Sequence, residues 1–349
     1  MFRALFIGLL LGCGPFFAAS VQACAICIQM PQESVADKII DADLVAILRE
    51  DPERAFHYRV HRILEGRSDI APPPPFLVDT AMRKKLASLP EEGVLASWTS
   101  TKGWLLHGHA SADLEQVAVS VLQNFDKWRG AGGQQARFDF FAPLHAASDP
   151  AVQELALIEL ARMPYSLLRT LQPGLDRRQV ARLIVDQQWL EWAPIYILIL
   201  GQSQDSGDQD FVRRAAGAAL TRGGRGDLAA WVTAWIEVDG ALAITAIRRD
   251  HLFNDALSLS EIRAIAMGLA EHSQGGDPAV AVQATQALRH FAKLHPSVAG
   301  IAARALLAAQ DWSATGTMAK QLESGAIQAP DEIFSIEAYL AGARIEAGP

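Results

Sequence analysis

Cys24-Ala25-Ile26-Cys27 is the densest chemical spacing in the chain. Two thiols so placed can close a small disulfide, give two soft ligands to a metal ion, or act as a redox dithiol when a helix N-terminus lowers the thiolate pKa. No βαβ context surrounds the pair and no His follows Cys27, so thioredoxin-like chemistry and haem attachment lack their settings. The residues favour a structural disulfide, with metal ligation and redox activity as the alternatives. His107-Gly108-His109 is the second spacing of note. Alternate residues of a strand share a face, so two imidazoles there would take one zinc or copper ion. His57 and His61 have the same relation. Solvent-facing histidines are the stronger expectation for both pairs. Asp205-Ser206-Gly207-Asp208-Gln209-Asp210 has the wrong glycine position for a calcium loop and reads as an acidic turn capping the next helix. Arg225-Gly226-Asp227 reads as a turn. A nucleophile elbow, His-Glu-x-x-His, a P-loop and a dinucleotide-binding glycine pattern are all missing, so no motif makes an enzyme the expectation.

The elements that would carry these residues fall into two styles. Residues 1–23 have the parts of a signal peptide: Arg3, an apolar stretch from Ala4 to Leu11, and Val21-Gln22-Ala23 as the cleavage signal. The mature chain is then expected to begin at Cys24, in a periplasmic or secreted protein. Cleavage removes Cys13 and leaves an even cysteine count, as an oxidising compartment favours. A lipid anchor is not favoured: Leu10-Leu11-Gly12-Cys13 looks like a lipobox but would leave a very short leader, and Gln22 before Ala23-Cys24 is unusual for one. No later segment is long enough to span a bilayer. With 39 acidic against 31 basic side chains and a net charge of −8, the chain is a poor partner for nucleic acid.

From Asp41 to Ser111 the apolar runs are short. Leu44–Leu48, Phe56–Leu64, Phe76–Val78, Val94–Trp98 and Trp104–His107 read as strands, and Ala112–Phe125 as a closing helix. In Phe56–Leu64 strict alternation sets Phe56, Tyr58, Val60 and Arg62 against His57, Arg59, His61 and Ile63. Residues 24–128 are thus a small β-rich module, and 129–136, rich in Gly and Gln, a linker. Residues 137–345 are helical throughout. There Val152/Ala156/Leu160, Val212/Ala216/Leu220, Val280/Ala284/Leu288 and Val298/Ala302/Leu306 share one helical spacing. Two of the four follow Asp-Pro (Asp149-Pro150, Asp277-Pro278), a cap and first-turn signal. Trp189, Trp192, Trp231, Trp235 and Trp312 sit in helical stretches and are expected to pack there.

The Asp-Pro-x-Val-x-x-x-Ala-x-x-x-Leu pattern resembles HEAT-type repeats over about residues 137–322, which implies an α-solenoid. The whole arrangement also resembles a group of exported bacterial proteins with no assigned activity. Ala23–Cys27, Ala42–Val45, Arg62–Gly66, Met163–Tyr165, Leu171–Pro173 and Asp311–Ser313 carry that likeness. More distantly, the N-terminal Cys, the Ala-Asp-hydrophobic strand and the strand ending in Leu-x-Gly resemble the netrin-like OB module of tissue inhibitors of metalloproteinases. That resemblance implies zinc chelation by the Cys24 amine, although Cys-x-x-Cys here replaces Cys-x-Cys and the later cysteines are missing. The expectation is a multidomain β + α chain, an OB-like module followed by a HEAT-type solenoid. Functionally it implies an exported, non-enzymatic binding protein whose partner is another envelope or secreted protein. A metal-binding or thiol-redox module is the alternative.

Overall fold

The computed structural model describes residues 33–76, 79–130, 132–171, 174–221 and 227–348. The signal segment 1–23 and Cys13, Cys24 and Cys27 lie outside the described residues. The first part contains α1 (Val35–Ile40), β1 (Leu44–Glu50), β2 (Tyr58–Gly66), α2 (Thr80–Ser88), β3 (Gly93–Thr99), β4 (Gly103–Ala110) and α3 (Ala112–Trp128). The strands form one antiparallel sheet in the order β2-β1-β3-β4. Among the described residues this is an open four-stranded sheet with β2 and β4 as edges, not the five-stranded, partly closed barrel of an OB module.

Both faces of the sheet are covered. Val45, Ile47 and Leu95 point to α1 and α3, where Ile39, Leu114, Val117 and Val121 close over them. Ala46, Leu48, Val94 and Ala96 point the other way, to Tyr58 and to Leu86 of α2. A strand buried on both faces reads as a continuous apolar run, which is why Leu44–Leu48 lacks alternation. Gly66 ends β2 with φ +83°, where a Cβ would lie 2.1 Å from the Asp43 carbonyl oxygen. Only glycine suits that left-handed, crowded corner. It sets Gly66 and Glu65 opposite Leu44 and Val45, so the ends of these two motifs are neighbours in the fold.

The stretch expected as a linker is a tight corner. Gly132 takes φ +80° and Gly133 packs on the Trp128 carbonyl, too close for any Cβ. Then follow α4 (Gly133–Phe141), α5 (Pro150–Ala161), α6 (Tyr165–Leu168), α7 (Arg177–Leu183), α8 (Ala193–Gly201), α9 (Ser206–Thr221), α10 (Leu228–Asp239), α11 (Ala241–Asp250), α12 (Leu259–Gly275), α13 (Pro278–Leu294), α14 (Ala299–Ala308), α15 (Thr315–Glu323) and α16 (Pro330–Ala347). Phe141, Val152 and Leu155 are built into the same core as Val45 and Val121, so the apolar interior is continuous across the corner.

Beyond α5 the packing alternates. The helices α8, α10, α12, α14 and α16 contact one another in succession, while α9, α11, α13 and α15 pack on their chain neighbours. Asp149 and Asp277 cap α5 and α13 as their sequence signals promise, each accepting from backbone N–H groups of the first turn. The recurring Val/Ala/Leu stripes are buried, with Val280 partly so. They fall on helices of both kinds, however: α9 and α13 on one hand, and α14, in the succession, on the other. A small residue flanked by larger ones at i ± 4 suits any helix packed on a close neighbour, so the stripe marks burial on helices of both kinds. All five tryptophans of this part pack in or against the core. Among the described residues no helix is long and apolar enough to cross a membrane.

Candidate functional site

The histidine pairs are separated by irregularities in their strands. In β4 the register slips between Leu95 and Ala96, at Gly108 with φ +109°. This bulge adds one residue and reverses the alternation beyond it. His107 lies on the face of Ser97, whose Oγ is 2.8 Å from His107 Nε2, while His109 stands opposite Val94 and shares the other face. His109 Nε2 is 2.6 Å from Glu92 Oε2, in a contact not aligned as a hydrogen bond. Burial, helped by the Lys38 ammonium, pushes the His107 pKa down to about 4. The structure therefore does not bring the two imidazoles together. Two further slips in β2 skip His61 and Leu64, and His57 sits before the strand against Phe76. Cys24 and Cys27, the disulfide, metal or redox candidates, lie outside the described residues. Among the described residues no group of three or more His, Cys, Asp or Glu is placed to hold a metal ion.

The acidic turn at Asp205 caps α9: Asp205 Oδ1 accepts from the Asp208 N–H at 3.0 Å. Buried Asp208 accepts from Ser203 Oγ at 2.8 Å and from Arg177 Nη1 at 2.9 Å. Its carboxylate is spent on these partners. Arg225 and Gly226 of the Arg-Gly-Asp turn lie outside the described residues.

Composition and spacing did not reveal a cluster around Glu237 of α10. Tyr165 donates its hydroxyl to Glu237 Oε2 at 2.7 Å, and Arg169 grips both carboxylate oxygens, from Nε at 2.8 Å and Nη2 at 2.9 Å. His272 of α12 donates Nε2–H to the Thr233 carbonyl at 2.9 Å, its other nitrogen 3.9 Å from Glu237. Burial raises the Tyr165 pKa well above its ordinary value, reinforced by the Glu237 charge, and lowers that of His272 to about 4. These residue types often do acid–base work, but here the phenol, guanidinium and carboxylate are spent on one another, and His272 Nδ1 is buried without a hydrogen-bond partner. The phenol stays protonated and the imidazole neutral at physiological pH. The cluster clamps α6, α10 and α12, and Tyr165 is the last residue of the Met163–Tyr165 motif. Asp311-Trp312-Ser313 plays a similar part: Tyr339 of α16 donates to the Asp311 carbonyl at 2.8 Å and stacks on Trp312.

A surface with binding character lies along α11 and α13. These helices run side by side in the same direction: Gly240 lies against Val280 at their starts, and Arg248 Nη2 is 3.4 Å from His290 Nδ1 near their ends. At helical spacing Leu242, Thr245 and Arg249 face outward from α11, and Val282, Gln286, His290 and Lys293 from α13. At the far end a cleft of about 490 Å³ opens over buried Leu252. Arg248, Arg249, His290 and Lys293 line it, with Phe253 and Leu294. Leu242 is 76% and Phe253 74% exposed. Arg249 is held by Asp250 at 2.6 Å. Among the described residues no carboxylate reaches Arg248 or Lys293 within ion-pair distance. The helix α13 contains no Asp or Glu, and α11 only Asp250. Part of this positive charge faces the negative C-terminal ends of the two helices; the exposed aromatic and aliphatic side chains beside it have no such partner. Comparison of the chain with family models, curated proteins and solved structures yields no match, so its function has to be read from these surfaces alone.

Proposed function

We propose that the protein is an exported, non-enzymatic binding protein. Its helical part is a HEAT-like α-solenoid that presents the α11–α13 face to another envelope or secreted protein. The observation that carries this reading is that face itself. On a chain of net charge −8 it gathers exposed Leu242, Val282, Phe253 and Leu294 with Arg248 and Lys293, which meet no carboxylate among the described residues, and almost no acid. Exposed apolar side chains grouped with cations are the composition of a recognition surface, not of a merely solvated one. The alternating packing of α8–α16 supports the solenoid, since stacked helices build extended faces of this kind.

The test is site-directed photo-crosslinking in an envelope extract, from a photoreactive phenylalanine analogue at Leu242. The expected result is one saturable protein adduct, lost when Val282→Glu is added. No adduct, or only adducts that fail to saturate, refutes the reading.

A further inference from the structure

The proposed binding face is polarised, and its polarity specifies what would fit it. At the start of the two helices the outward residues are Leu242 and Val282; near the end Arg248, His290 and Lys293 line the cleft beside exposed Phe253 and Leu294. From the apolar end to the cationic end the face runs for about 16 Å, the rise of roughly 11 helical residues at 1.5 Å each. Between the two stripes the surface opens as a trough lined by Thr245, Arg248, His290 and Lys293. It deepens into the cleft beside Phe253.

We infer that this trough takes a short amphipathic helix of the partner, apolar at one end and acidic at the other. Its aliphatic side chains pack over Leu242 and Val282, and its carboxylates reach Arg248 and Lys293. Charge complementarity selects this occupant: both cations lack a carboxylate among the described residues, and an acidic segment supplies one while the apolar end is desolvated. Both ends offer apolar contacts, but the cations stand at one end only, so the face discriminates by where a helix carries its acidic residues. The inference rests on the proposed binding role and names the class of segment that role would recognise.

The probe is a fluorescein-labelled synthetic helix of about 12 residues, with leucines at helical spacing in one half and glutamates on the same face of the other. Anisotropy is measured with the purified full chain. The peptide is expected to bind saturably, about tenfold more weakly to the Arg248→Glu/Lys293→Glu variant, and several-fold more weakly on raising salt from about 50 to about 300 mM. Both substitutions are at the surface, and an unchanged unfolding midpoint shows that the variant remains folded. A peptide with lysine for glutamate, or with the glutamates scattered round the helix, is expected not to bind. Equal binding of the scattered peptide, or undiminished binding to the charge-reversed variant, overturns the inference. So does displacement of the probe by dodecanoate at comparable affinity, which would make the cleft a site for a small amphiphile. A saturable crosslink from Leu242 with no peptide binding overturns the ligand class and leaves the binding role standing; loss of both overturns both.

Discussion

Arg137 offers the sharpest test of how the two parts of the chain are held together. Its guanidinium donates to Glu159 from Nε at 2.7 Å and from Nη2 at 2.8 Å, and from Nη2 to Asp37 at 2.6 Å. The Glu159 side chain is 1% exposed, and its other cation, Arg162, is 3.5 Å away and makes no hydrogen bond to it. Replacing Arg137 with methionine therefore strands a buried carboxylate. Breaking such a pair on one side costs about 3–5 kcal/mol. Because Arg137 itself is 18% exposed, the lower end, about 3 kcal/mol, applies. Adding Glu159→Gln removes the stranded charge, while Asp37 keeps Arg162 as a partner. The double variant is then expected to recover about 1–2 kcal/mol of the loss. Urea unfolding followed by tryptophan fluorescence measures both, with a constant m-value confirming comparable transitions. If the double variant is as unstable as the single one, the electrostatic reasoning fails, and the role of Arg137 is its packing over Trp128. The acid limb gives a second reading. Burial works to raise the Asp37 pKa, but the Arg137 bond and charge, the Ser34 N–H and Arg162 hold it below the ordinary Asp range. Stability from this group is present above the unfolded-state pKa and lost as pH falls through the lowered folded value. That loss is expected to shrink in Arg137→Met.

The remaining predictions concern the sheet and the buried histidines. Gly66→Ala places a Cβ 2.1 Å from a backbone oxygen at φ +83°, so backbone strain alone costs about 1–3 kcal/mol. Amide exchange is expected to accelerate along β1 and β2, and protection equal to the parent would contradict the reading. His107 and His272, both pushed down to about 4 by burial, are neutral in the folded state. Their contribution is complete above the unfolded imidazole value of about 6.5 and lost as pH falls toward 4. Imidazole NMR at pH 5 is expected to show both uncharged, and a signal from either titrating near 6.5 refutes its burial.

The sequence was legible where a local rule had no competitor. The Asp149 and Asp277 caps, the buried Val/Ala/Leu stripes, the acidic turn at Asp205 and the strands β1 and β3 all lie where composition and period place them. It misled where one residue of slippage changes everything beyond it. His107 and His109 obey the period-2 rule in sequence, yet the bulge at Gly108 sends them to opposite faces, and a slip at His61 breaks the alternation expected over Phe56–Leu64. A glycine in a strand was the available signal. The turns α1 and α2 went unread because six and nine residues give too few periods to stand out. The proposed binding face on α11 and α13 was also invisible, because its two stripes lie about forty residues apart and join only when the helices pack side by side. The Glu237 cluster is spread still further, from Tyr165 to His272.

Asp37 sits on the first helix of the β part, yet its partners Arg137 and Arg162 belong to the helical part. A pull applied at residue 33 would thus travel through α1 into α4 and α5 before it loads the pairing of β1 with β2. Tension on the N-terminal side is carried by charged bonds anchored in the larger body of helices, and the small sheet is spared it. A first helix fastened in this way makes a sound mooring point for whatever pulls on it.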